Sequence, residues 1–301
     1  MSRHEVPTEL DGERVDKIVA VLGGLSRSEA RHVVDGGAVT VEKNPMAARD
    51  RLTAGTVVDF EVPERVDVLQ PEDVDFAVRA QDQHLVVVEK PAGMVVHPGA
   101  GRTTGTLAAG LLARYPEIQG VGEYPRWGIV HRLDRDTSGL LVVARTGEAH
   151  QRLSTMIRSH QIHRGYTGLV DGLFDAPRGT IDAPIGPDPG RPKRRVVTPL
   201  GKPARTHYRR TSAWKGHNVS LLEVTLETGR THQIRVHMAS IGHPVIGDRW
   251  YGKPTRVESP RVFLHAAEIS FEHPVTGETI QVSSPLPSDL AEVLARLGLA
   301  D

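Results

Sequence analysis

Apolar residues in the segment RVDKIVAVL, residues 14–22, fall at Val15, Ile18, Val19 and Leu22, the i, i+3, i+4, i+7 spacing of a helix with one buried face. A second short helix is predicted next. Ser26 and Glu29 form a capping box at its start, Ala30, Val33 and Val34 supply its apolar face, and Gly36-Gly37 end it. The period then changes to two: residues 38–42 and 57–62 read as short strands, with Lys43-Asn44-Pro45 as turn chemistry between them. Residues 1–64 are thus expected to form a helix-helix-hairpin domain. Residues 65–75 are acidic, aperiodic and interrupted by a proline, and read as a linker. In residues 76–301, strand-like runs recur at 85–89, 140–144, 166–170, 219–226, 234–237 and 280–283, and helical spacing at 106–114, 148–159 and 289–297. Many strands with intermittent helices predict an α+β catalytic domain, built on a mixed, largely antiparallel sheet with flanking helices.

Composition narrows the chemistry. At 301 residues the chain is long enough for two domains. With no cysteine it has neither thiolate metal ligands nor a thiol nucleophile, so acid, base and nucleophile must be oxygen or nitrogen groups. No apolar run approaches the ~18 residues of a bilayer helix, and the N-terminus lacks a signal-peptide segment, so no membrane partner and a cytoplasmic location are expected. No coiled-coil heptads occur, and a monomer is the default expectation.

The formal charge is zero, but its distribution is uneven. Residues 1–64 carry a net −4, and the remainder a net +4. Residues 189–222 hold nine basic side chains, Arg194, Arg195 and Arg205 among them, and no acidic one; Tyr208 and Trp214 lie in the same stretch. Cations interleaved with stacking aromatics suit an RNA groove, although a solvated loop would show the same composition.

Two segments concentrate reactive residue types. Gly128–Gly139 sets a polar stretch between apolar runs and offers Asp134 as nucleophile or base, with Arg132 or Arg135 as electrostatic partner. If the segment is extended, Asp134 and Asp136 share a face about 7 Å apart. A glycosidase pair instead flanks the scissile bond, so this reading is the weaker one. In the second segment, residues 227–248, His232 and His237 are five apart and would point to opposite sides of a strand, which argues against a shared metal ion. Gln233, Arg235 and His237 would share one face, with Ile234 turned into the core. The Gly-rich run 99–105 lacks a phosphate-loop ending and a dinucleotide spacing, so no nucleotide cofactor is expected.

Together HRLDRDTSGLLVVAR, ETGRTHQIRVHMASIGHPVIGD and the earlier EKPAGMVVHP resemble the signature blocks of the RluA-type pseudouridine synthases, in order along essentially the whole chain. The N-terminal unit resembles the S4 RNA-binding module, as in RluD-like members, and Arg14, Lys17, Arg27 and Arg31 are the residues that could form a basic face on its helix pair. A small structural cap is the alternative. The resemblance implies an isomerase converting uridines of large-subunit ribosomal RNA, free or in an assembling particle, without cofactor or metal. It implies Asp134 as the catalytic aspartate, Arg235 as its basic partner, Tyr166 as the active-site tyrosine, Ile234 as an apolar pocket wall and Arg132 as the arginine inserted where the base leaves its stack. His131, Arg230, His232 and Gln233 flank these positions and are candidate substrate contacts. Arg164 stands where the family often has lysine. A silent RNA-binding protein and a hydrolase using Asp134 and Asp136 are the rival readings.

Overall fold

The computed structural model describes residues 2–25, 27–61, 69–99, 103–174 and 176–301, with backbone alone at 27–29. The chain divides into two compact units, Met1–Asp67 and Val68–Asp301.

The first unit runs β1 (Ser2–Glu5), β2 (Glu13–Arg14), α1 (Val15–Leu22), α2 (Arg27–Asp35), β3 (Thr40–Val41), β4 (Asn44–Pro45), β5 (Arg51–Leu52) and β6 (Val57–Phe60). Val15, Ile18 and Val19 of α1 and Ala30, Val33 and Val34 of α2 are buried in one core with Val39, Val58 and Phe60, as their helical spacing predicts. The capping box of Ser26 and Glu29 and the side chain of Arg27 lie outside the described residues. The hairpin departs from expectation. Asn44-Pro45 is not the turn but the returning strand β4, and the turn is Glu42-Lys43, both at positive φ (50° and 68°). Two central residues in that region give a connection whose twist matches that of the strands it joins. Strand β6 pairs with the other edge of β3, and β1 pairs with β6.

The second unit contains β7 (Ala77–Gln81), β8 (Leu85–Lys90), α3 (Leu107–Arg114), β9 (Ser138–Ala144), α4 (Gly147–Arg158), β10 (His163–Asp171), β11 (Arg178–Asp182), β12 (Ile185–Asp188), β13 (Arg191–Val197), β14 (Arg205–Trp214), β15 (Val219–Leu226), α5 (Gln233–Ser240), β16 (Leu264–Glu272), β17 (Thr279–Ser283) and α6 (Ser288–Leu297). Among the described residues its main sheet has nine strands, ordered β11-β14-β15-β10-β16-β9-β8-β7 with β17 also on β16. Every pairing in it is antiparallel except β9 with β16. This is the α+β architecture expected from the sequence.

The sheet is covered on both faces at its centre. Val86 and Val88 of β8 and Leu141 and Val143 of β9 enter one core with α3 and α6, while Leu85, Val87, Leu140 and Val142 enter a second core with Leu153 of α4. Two-sided burial explains why these strands read as continuous apolar runs. Helices α3 and α4 each start at a threonine, Thr106 and Thr146, whose hydroxyl accepts a hydrogen bond from the amide three residues on.

One expected strand is wrong. Residues 234–237 lie inside helix α5, where Gln233 and His237, one turn apart, both reach Thr206 of β14, while Arg235 points elsewhere, to Asp134 and Asp248. The alternation of Ile234, Val236 and Met238 with polar residues mimics a strand because all six residues from Gln233 to Met238 are buried. Among the described residues no helix is long and apolar enough to cross a membrane.

Candidate active site

Asp134 sits on the loop between Ile129 and β9, half-buried between the buried side chains of Leu133 and Thr137. The loop is pinned from two sides. Lys90, fully buried at the end of β8, donates from Nζ to the carbonyls of Pro91 (2.8 Å), Met94 (2.9 Å) and Arg135 (3.0 Å). Burial pushes its ammonium down to about 7, against the pull of Asp134 and Asp136. On the far side Arg261 donates to the Asp136 carbonyl (3.1 Å) and the Ser138 hydroxyl (3.0 Å), and is itself held by Asp289 (2.6 and 3.1 Å). The loop exit requires glycine: Gly139 has φ 118°, and a Cβ there would lie 2.2 Å from the Ala266 carbonyl of β16.

Helix α5 brings Arg235 to this loop. Its Nη1 lies 3.4 Å from Asp134 Oδ2, while Nε and Nη2 donate to the two oxygens of Asp248 at 2.7 and 2.9 Å. The Asp248 side chain is fully buried and also accepts from the amides of Trp250 (2.9 Å) and Tyr251 (3.1 Å). Burial opposes its charge, but the Arg235 hydrogen bonds and charge outweigh it and hold this carboxyl below the usual range. The Arg235 guanidinium also lies 5.1 Å from the Tyr251 ring centre, and the Tyr251 hydroxyl is 2.8 Å from His232 Nδ1.

Asp134 and Arg235 share a small pocket with Tyr166, Ile234, Arg132, Arg164, Arg230, His232 and Gln233. Tyr166 and Ile234 form buried walls. Burial first, then the nearby Asp134 charge, raise the Tyr166 hydroxyl, which is neutral at physiological pH despite Arg164. Arg164 is buried and donates to the carbonyls of Leu226 (3.3 Å) and Glu227 (2.9 Å).

Gln233 has little left to offer a ligand. Its oxygen accepts from Thr228 Oγ1 (2.8 Å) and the Arg230 amide (2.9 Å), and its nitrogen donates to the Arg205 carbonyl and Thr206 Oγ1 (both 3.0 Å). It fixes the turn that carries Arg230 and His232. His131 lines the adjoining cleft, and its Nε2 accepts from the Val142 amide at 3.1 Å. Asp136 is bound to its neighbour Arg135 (2.9 and 3.1 Å) and is absent from the pocket wall, because the chain turns at 135–136 instead of running extended. The geometry for a carboxylate pair is therefore missing.

The charges read as RNA contacts are largely partnered. Arg14 pairs with Asp16 (2.9 Å), Lys17 with Glu13 (2.6 Å) and Arg31 with Asp35 (3.4 Å). Arg205 of β14 pairs with Asp182 of β11 (2.7 Å) and with Glu227, the residue after β15 (3.3 Å). Arg194 stacks 5.0 Å over Tyr251, and Arg195 donates to the carbonyls of Pro192 and Arg194. Sequence spacing gives no role to Lys90, Arg261 or Asp248, although Lys90 lies in EKPAGMVVHP and Asp248 ends ETGRTHQIRVHMASIGHPVIGD.

Residues 84–240 match the RNA pseudouridylate synthase family. The chain is 42% identical over 292 residues to an uncharacterized RNA pseudouridine synthase, YlyB, of Bacillus subtilis (strain 168), covering 96% of this chain and 95% of that one. It is 40% identical over 308 residues to ribosomal large subunit pseudouridine synthase D of Pseudomonas aeruginosa, covering 97% and 94%. Among solved structures, human RNA pseudouridylate synthase domain containing 1 superposes with a TM-score of 0.56 at 25% identity, over 75% of this chain and 96% of that one.

Proposed function

The chain belongs to the RNA pseudouridylate synthase family and is an RNA pseudouridine synthase, and we propose that it acts on uridines of large-subunit ribosomal RNA with Asp134 as the reacting carboxylate. The observation that carries the assignment of Asp134 is its position 3.4 Å from Arg235 in a pocket walled by Tyr166 and Ile234. The isomerisation breaks the bond from ribose C1′ to N1 and forms one from C1′ to C5; the C5 proton leaves and N1 gains one. Atoms and electrons balance within the nucleotide, so no external electron or group donor is required.

In this reading Asp134 reacts with the nucleotide, Arg235 stabilises negative charge beside it, and Tyr166 stacks on the base with its neutral hydroxyl available for proton handling. Arg132, exposed at the pocket mouth, fills the gap left in the RNA stack. Unstacking costs a few kcal/mol, which cationic contacts to the backbone offset. Ribosomal RNA is the substrate favoured by relatives named as ribosomal large subunit synthases that span nearly the whole chain. In this reading the enzyme meets its substrate in the cytoplasm and acts as a monomer, with residues 1–64 as an S4-like RNA-binding module ahead of a linker at 65–75 and a catalytic domain at 76–301.

The test is tritium release from RNA labelled at uridine C5. Release from unmodified large-subunit ribosomal RNA, and not from small-subunit RNA or transfer RNA, is the expected result. Release from transfer RNA alone overturns the substrate assignment.

A further inference from the structure

Next to the base pocket lies a second cleft, of about 340 Å³, within the ~300–1,000 Å³ range of small-molecule sites. Its walls carry Arg126, Arg132, Arg158, Arg164 and Arg230, and among the described residues no carboxylate side chain lines it. These arginines come from four separate parts of the chain: the loop 126–132, the C-terminus of α4, strand β10 and the turn before α5. Arg164 is already held by two backbone carbonyls, but the contacts of Arg126, Arg158 and Arg230 are slight. Arg126 meets Glu123 at 3.3 Å in an exposed pair, Arg158 donates to Thr155 Oγ1 at 3.0 Å, and the Arg230 guanidinium donates from Nε to the Pro203 carbonyl at 3.0 Å. An exposed pair of the first kind contributes little. The contrast with Arg205, held between two carboxylates, is direct.

Two histidines of the cleft, His97 and His131, add no positive charge. Burial, reinforced by Arg132 and Arg126, lowers His97 to about 4, and burial with Arg164 lowers His131 to about 3. At neutral pH the cleft is therefore a site for anions built from guanidinium groups, the groups best suited to phosphate oxygens. It shares Arg132, Arg164, Gly229 and Arg230 with the wall of the base pocket, so a strand that places one base in that pocket puts its neighbouring backbone here.

We propose that this cleft binds the RNA phosphate backbone adjoining the reacting uridine, with Arg126, Arg158 and Arg230 as its phosphate contacts. The inference rests on the reading of the adjoining pocket as the uridine site. It moves the main backbone contacts away from the basic stretch 189–222 and onto residues more than thirty positions apart in sequence.

The test compares wild type, the double variant Arg126→Gln/Arg158→Gln, Arg230→Gln and the control Arg152→Gln, which sits on the same helix as Arg158 but pairs with Glu148 and lines a different cleft. Binding of unmodified large-subunit ribosomal RNA is measured against salt concentration, and turnover by tritium release. Each phosphate contact removed should lower the slope of log affinity against log salt by about 0.7–0.9. The double variant is expected to lose two such steps and Arg230→Gln one, the double variant with a raised KM at near-normal kcat; Arg126→Gln/Arg158→Lys should recover one of its two steps, and Arg152→Gln should match wild type. A double variant with the wild-type slope and KM overturns the proposal. Should wild type release no tritium, the reading of the base pocket fails, while the salt slope still decides whether the cleft holds phosphate.

Discussion

Arg235 and Asp248 form a two-point ion pair, at 2.7 and 2.9 Å, that leaves one guanidinium nitrogen facing Asp134 at 3.4 Å. Asp248 thus acts through Arg235: it fixes the plane of the guanidinium and so the direction of its remaining donor. Removing one member of a buried pair strands the other charge, at about 3–5 kcal/mol. Asp248→Ala is expected to lower stability in urea by an amount of that order. It should reduce kcat by roughly 100-fold, as misplacement of a reacting group does, with KM for RNA changed far less. A variant with full kcat would show that Arg235 needs no such support.

Lys90 makes a pH-dependent contribution to stability. Its folded-state value is about 7 against 10.5 for an ordinary lysine, so between these limits the unfolded chain binds more protons than the folded one. Stability from this group therefore rises with pH across that window, by up to about 1.4 kcal/mol per pH unit. Urea midpoints of wild type and Lys90→Met at pH 6.5 and 9.5 check it: the difference between them should shift in favour of wild type at the higher pH. A constant difference contradicts the assignment.

Gly139 joins the Asp134 loop to the parallel β9–β16 pair at a positive φ with no room for a side chain. Gly139→Ala is expected to destabilise the protein by at least about 1–3 kcal/mol from backbone strain, before the clash with the Ala266 carbonyl is added. Thermal unfolding measures this directly, and an unchanged melting temperature would show that the loop exit is not constrained as described.

Tyr166→Phe keeps the ring and deletes the hydroxyl. Affinity for RNA should stay close to wild type, while turnover drops by about 10²–10⁴ if the hydroxyl handles a proton. Equal losses in binding and turnover would instead make stacking geometry the role of this residue.

Elements with one clear apolar face were legible from sequence, as α1 and α4 illustrate. So were β8 and β9, whose two buried faces give unbroken apolar runs. Helix α5 was not, because burial on every side removes the period that distinguishes helix from strand. The same limit applies to charge. The run 189–222 contains no acid, yet Asp182, Glu223 and Glu227 lie just beyond it and reach Arg205, His207 and Arg209 across neighbouring strands. Asp134 and Arg235 stood in recognisable blocks, and a contact across 101 positions joins them only in the fold. Asp248 lay in plain view thirteen residues after Arg235, but nothing in local spacing revealed that helix α5 turns the two together.

The central claim is that Asp134 carries the isomerisation. Unmodified large-subunit ribosomal RNA incubated with wild type or with Asp134→Asn, then mapped for pseudouridine by carbodiimide-dependent primer-extension stops, tests it most directly. Both proteins should show the same melting temperature to within a few degrees and comparable RNA affinity. The account predicts stops at defined uridines with wild type and none with Asp134→Asn. Stops of equal intensity in both lanes would contradict it.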